Sequence, residues 1–148
     1  MRTTSHIASI LCALVVAATA QTLLAEDHHP CSAHSVAGTF GYVVTGVRNG
    51  VGPVAGAGQL TFHGDGTVSD GKQTVSFNGV IADETYTGTF TVNADCSGSF
   101  EVVVSSPIAP RTSHVDVVWV DDTNGAKSIF TDAGTILTAD ARRISPRD

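Results

Sequence analysis

His114 and Asp116 stand two residues apart in SHVDVVWV (113–120). On an extended strand that spacing puts both side chains on one face, where a carboxylate can orient an imidazole as a general base. No activated nucleophile accompanies them, since the chain has no Gly-x-Ser-x-Gly elbow. His63 alternates with Leu60 and Phe62 and so faces the other way. Glu101 and Asp116 together would suit two-carboxylate glycoside hydrolysis. Alternation, however, sets Glu101 against the side that carries Phe100, Val102 and Val104, which leaves it on the wet face. The glycine-rich NGVGPVAGAG stretch lacks the Lys-Ser/Thr ending and the following helix of a phosphate loop. These residues read as surface polar groups, and the sequence assigns no catalytic residue. Under an enzyme reading, that of a barrel cyclase or isomerase, His63 or Asp116 would have to point into the interior.

His28, His29 and His34 offer a metal chemistry of their own. A chain beginning Glu26-Asp27-His28 would present an amine, two amides and an imidazole to Cu(II) in a square plane. Cleavage after Ala20 instead of Ala25 removes that arrangement. The segment reads as a solvated lead-in, and neither metal nor cofactor is assigned.

Cysteine chemistry is more definite. MRTTSHIASILCALVVAATAQTLLAEDHHP has a single Arg2, an apolar run from Ile7 to about Ala18, and small-x-small cleavage sites ending at Ala20 or Ala25. This is the pattern of a secretory signal peptide, 1–25, and the run is shorter than the roughly 20 residues that span a bilayer. Cys12 lies inside the run, follows the bulky Leu11, and is lost with it. Cys31 and Cys96 remain. An exported chain with one pair of thiols and no CxxC spacing implies a disulfide rather than zinc. The bridge would fasten the lead-in, 26–37, to the Asn93–Gly98 turn.

Export places the protein in a periplasm or outside the cell, with no stable membrane insertion once the leader is removed. Loss of Arg2 leaves seven basic against 14 acidic side chains, a net charge near −7. The acids are scattered, which suits solubility and excludes nucleic acid, a partner that needs a basic face. Oligomeric state is not legible.

The elements that position all these residues are strands. From Gly38 the pattern has period two, broken by Gly, Asn and Asp. Strands are expected at 38–47, 57–64, 67–79 interrupted at Asp70-Gly71 by a bulge or a second short turn, 83–92, 97–106, 113–120, 126–132 and 134–143. Residues 48–56 are expected as a glycine-rich loop, 106–112 as a proline-bearing loop, and DDTNG (121–125), with its Asn124-Gly125 signal, as a reverse turn. No helix is expected. Eight sequential antiparallel strands must hide two sheet edges. An up-and-down barrel over 38–143 removes both, a two-sheet β-sandwich is the alternative, and 144–148 is a tail.

Two resemblances enter here. Gly38-Thr39-Phe40-Gly41-Tyr42, GQLTFHGDGTVS, YTGTFTVNADCSG and SHVDVVWVDD resemble small exported bacterial β-proteins that are largely uncharacterised. That resemblance implies a barrel or sandwich and no particular activity. Gly38-Thr39-Phe40 and Arg142 or Arg143 are similar to the lipocalin-like (calycin) signature, with Phe for the usual Trp. It implies an Arg over the first-strand aromatic and an apolar ligand held inside the barrel. Trp119 shares a face with Val115 and Val117, and with Phe62 and Tyr86 is the expected lining of such a pocket. The expected function is therefore binding of a small hydrophobic ligand without catalysis, with a filled structural barrel as the alternative.

Overall fold

The computed structural model describes residues 30–145. The leader, its cleavage sites, Cys12, His28, His29 and residues 146–148 lie outside the described residues. Strands follow one another in chain order: β1 (Gly38–Arg48), β2 (Gly52–Phe62), β3 (Thr67–Phe77), β4 (Val80–Val92), β5 (Ser97–Ser105), β6 (Arg111–Val120), β7 (Gly125–Phe130) and β8 (Thr135–Arg143). Each pairs antiparallel with the next, and β8 returns to β1, from Arg143 opposite Phe40 to Thr135 opposite Arg48. The result is the closed up-and-down barrel that the strand spacing predicts. The sandwich alternative is excluded, because the β1–β8 ladder leaves one continuous sheet with no free edge.

Alternation divides inside from outside. Along β6, Ser113, Val115, Val117 and Trp119 are buried and the residues between them are exposed. Along β4, Ala82, Glu84, Tyr86 and Phe90 are buried in the same way. The interior holds two apolar layers. One contains Phe40, Phe62, Phe90 and Trp119, and the other Val44, Val54, Val75, Phe77, Ala82 and Leu137. In the first layer Phe62 packs edge-on against Phe90 at 4.8 Å, Phe40 at 5.7 Å and Trp119 at 5.8 Å between ring centres, an arrangement in which positive ring edges meet negative faces.

Two hairpin turns are built alike. In one, Asp65 Oδ1 accepts from the Thr67 amide at 3.0 Å and its hydroxyl at 2.6 Å. In the other, Asp95 Oδ1 accepts from the Ser97 amide at 3.0 Å and its hydroxyl at 2.6 Å. The residue between them takes a left-handed φ, +87° at Gly66 and +65° at Cys96. Cys96 thus occupies a slot that suits glycine, at a steric cost of about 1–2 kcal/mol. The disulfide to Cys31 accounts for its presence there: the Cα atoms are 5.0 Å apart, and Cys31 N–H donates to the Ala94 carbonyl at 3.1 Å.

Three local expectations are corrected. The glycine-rich loop shrinks to 49–51, and β2 begins at Gly52. Its glycines serve close approach rather than flexibility: a Cβ on Gly56 would lie 3.0 Å from the Thr74 carbonyl, and one on Gly58 would lie 2.6 Å from Gln73 Cβ and 2.8 Å from the Tyr42 hydroxyl. The proline-bearing loop ends earlier, with β6 starting at Arg111. The lead-in contains one helical turn, α1 (Ala33–Val36), stabilised by a capping box between Ser32 and Ser35 and by complete burial of Val36. The expected turn at 121–125 is present, and its left-handed residues are Asp121, Asp122 and Thr123. Buried Thr123 donates its hydroxyl to the Ser35 carbonyl at 2.8 Å, so a tertiary contact holds this conformation. The bulge at Asp70-Gly71 is present, with Asp70 at φ +52° and a shift in the β3–β4 register.

The bridge closes a loop of 65 residues. Replacing Cys31 and Cys96 together by serine should remove about 4 kcal/mol of stability on the chain-entropy model. Denaturant unfolding would measure it, with native far-UV circular dichroism unchanged; an unshifted midpoint would contradict a constraining role.

Candidate functional site

The barrel is a cup. At one end α1 lies across the opening, fixed to three turns. Cys31 bonds to Cys96, Thr123 donates to Ser35, and His34 rests on Gly64, where a Cβ would come within 2.7 Å of the imidazole Cε1. Arg143 completes this floor: its guanidinium lies 4.7 Å over the Phe40 ring and donates to the Ala37 carbonyl and, at 2.9 Å, to the Thr123 carbonyl. Arg142, the other candidate for this role, points outward and pairs with Asp121. The parity of β8 decides between them. The opposite end carries the loops after β1, β3, β5 and β7.

Two chambers lie along the interior, the lower one apolar and the upper one of mixed lining. The lower one, about 60 Å³, is lined by Phe40, Tyr42, Leu60, Phe62, Tyr86 and Phe100 among others. The upper one, about 230 Å³, is lined by Val44, Val54, Val75, Phe77 and Leu137, with Arg48 and Asp132. Gln73, Arg111, Ser113 and Phe130 line both, so the chambers meet at a waist.

The waist is polar and mostly bonded. Arg111 grips Glu84 with both terminal nitrogens, at 2.8 and 2.9 Å, and Nη1 also donates to the Ala109 carbonyl at 2.9 Å. This planar two-point fit is specific to guanidinium and carboxylate. Glu84 also accepts from Gln73 Nε2 at 2.6 Å. Tyr42 donates to Gln73 Oε1 at 2.8 Å, Tyr86 donates to the Gln59 carbonyl at 3.0 Å, and the two phenol oxygens are 2.7 Å apart. Two hydroxyl hydrogens thus serve three short contacts. Tyr86 owes its inward position partly to Gly71, whose missing side chain leaves room for the ring.

Electrostatics make this belt a fixed feature. Burial by itself would raise the Glu84 carboxyl; hydrogen bonds from Arg111, Ser106 and Gln73, with the Arg111 charge, outweigh it and hold Glu84 below its ordinary range. Burial pushes Tyr42 up to about 12, and pushes Tyr86 up as well with help from Tyr42 and the Glu84 charge. Glu84 is therefore a carboxylate and both phenols are neutral near pH 7. None of these three is poised near neutrality as a proton-transfer catalyst would be.

Of the expected ligand-lining residues, Phe62 and Tyr86 face the lower chamber. Trp119 sits behind them against Phe62 and Phe90 and does not line it. His63 and Asp116, which the enzyme reading needed inside, line neither chamber; His63 Nε2 lies 2.7 Å from the Ser69 hydroxyl. His114 is on the outer wall, and its partner is not Asp116. Its Nδ1 is 2.8 Å from Asp132 and its Nε2 3.0 Å from Glu101, all three reached across neighbouring strands. The hydrogen bond to Asp132, then both carboxylate charges, hold its pKa above the ordinary imidazole value. Among the described residues no cluster of His, Cys, Asp or Glu could hold a metal ion.

Glu84, Arg111, Gln73, Tyr42 and Ser113 were not singled out in the sequence. A signal for two of them exists: Glu84 is two residues before Tyr86, and Arg111 is eight before Trp119, so parity places both inside.

Two measurements check this geometry. Glu84→Gln and Arg111→Met should each cost about 3–5 kcal/mol, because each strands a buried charge or its partner, whereas the double variant should cost less than the sum. Additive losses in a double-mutant cycle would refute the pairing. His114, with its raised pKa, contributes stability fully below the unfolded imidazole value of about 6.5 and loses it as pH rises through the folded value. Imidazole NMR titration should show an elevated midpoint that returns toward the ordinary value in Asp132→Asn. No family model, curated protein or solved structure matches this chain.

Proposed function

We propose that this protein is an exported, disulfide-braced β-barrel that binds a small, predominantly apolar molecule inside its cup without chemically altering it. The observation that carries the reading is the pair of connected interior chambers, the lower one apolar, with a few polar groups converging between them. That combination is the usual form of a small-molecule site. Export rests on the leader pattern of 1–25 and agrees with the Cys31–Cys96 bridge. No helix among the described residues is long and apolar enough to cross a membrane. Arg143 over Phe40 is the contact that the lipocalin-like resemblance implies, and that resemblance supports a ligand in the interior.

The competing reading is a filled structural barrel. Its support is size, since neither chamber alone reaches the roughly 300 Å³ of ordinary ligand sites. Together they approach that size, and a ligand that uses both spans the waist.

Trp119 reports on the outcome because Phe62 bridges it to the lower chamber, 5.8 Å from ring to ring. Adding small apolar molecules of six to ten carbons, a size range of roughly 100–200 Å³, should shift its emission saturably. Ala141→Phe, which fills the lower chamber from β8, should weaken the response at least tenfold. A flat titration over such a panel would favour the filled barrel.

A further inference from the structure

Resting on the binding reading above, we infer that the ligand is uncharged and carries one hydrogen-bonding oxygen, flanked by two unequal apolar ends, which is seated against Ser113. Secondary alcohols and ketones have this shape; fatty acids do not.

The starting observation is Ser113 itself. It is 2% exposed, lines both chambers, and its hydroxyl makes no hydrogen bond among the described residues. That hydroxyl faces the chamber space and is free to bond a group that enters it. Here it opens onto the space that a ligand would cross, at the waist between the chambers. A ligand oxygen placed there would supply the missing bond, whether hydroxyl or carbonyl, because a serine hydroxyl both donates and accepts.

Charge selects neutrality. Arg111, the cation beside Ser113, is held on both terminal nitrogens by Glu84. A ligand carboxylate would place two anions against one guanidinium in a space removed from water, and one of them would lose its partner. The upper chamber adds Arg48 and Asp132, one charge of each sign, so its lining offers an anion no net attraction. The tyrosines do not compete for the oxygen, since their hydroxyl hydrogens are already shared among Gln73, Gln59 and each other. Chamber volumes then set the shape. With the oxygen at the waist, the shorter end occupies about 60 Å³ below and the longer end about 230 Å³ above.

Isothermal titration calorimetry with a matched set of nine-carbon compounds tests this: 3-nonanol, 3-nonanone, nonanoate and nonane. The alcohol and ketone should bind at least tenfold more tightly than nonanoate or nonane. Ser113→Ala should lower the affinity for the alcohol and ketone at least fivefold and leave nonane unchanged, with circular dichroism confirming the fold. Nonanoate binding as tightly as 3-nonanol to the unaltered protein would overturn the inference without any variant, and so would a Ser113→Ala protein that keeps its affinity for the alcohol. In either case binding of the apolar compounds would leave the binding reading standing. Failure of all four to bind would overturn both.

Discussion

The hydrogen-bonded ladder between β8 and β1 is the constraint on which the rest depends. It runs from the Phe40–Arg143 pair to the Arg48–Thr135 pair and turns an open meander into a barrel. Without it the sheet has two unpaired edges and no enclosed side. Once it forms, every second residue of each strand is withdrawn from water, and a charged residue at such a position must find a partner inside. Glu84 is such a residue. Its side chain is fully buried, and the bidentate contact with Arg111 compensates it across the barrel.

Such a pair is a poor route to stability, because desolvation offsets most of the attraction and an apolar pair of the same volume often does as well. Its effect here is positional. The ion pair holds Gln73, Gln73 holds Tyr42, and Tyr42 contacts Tyr86, so one belt of polar atoms is locked at mid-height between two greasy layers. A belt of this kind keeps the two chambers distinct and gives an otherwise featureless apolar tube a place where a ligand's polar atom can be recognised.

The two ends of the barrel are unequal for a related reason. The lower end is finished by α1, whose single turn has too few backbone bonds to persist alone. It is held by a disulfide, by Thr123 and by Arg143, each reaching it from a different part of the chain. The upper end carries the loops after β1, β3, β5 and β7, and among the described residues no helix lies between them.

Much of this was legible in the amino-acid order. Period-two alternation marked the strands, Asn93–Gly98 marked a turn, and the cysteine pair marked the staple, because each of these depends on neighbours in the chain or on simple counting. Glycines misled at 52–56: they signal flexibility locally, and only the opposing strand shows that they serve close approach. What the tertiary structure alone decided are relations between distant residues. Glu84 and Arg111 are 27 apart and Tyr42 and Tyr86 are 44 apart, and these pairs meet because strand stagger brings them to one height in the barrel. Alternation tells which face a side chain takes but not its height or what faces it across the lumen. For that physical reason the walls could be read from the sequence, whereas the polar waist, the plug and the empty space needed the closed sheet.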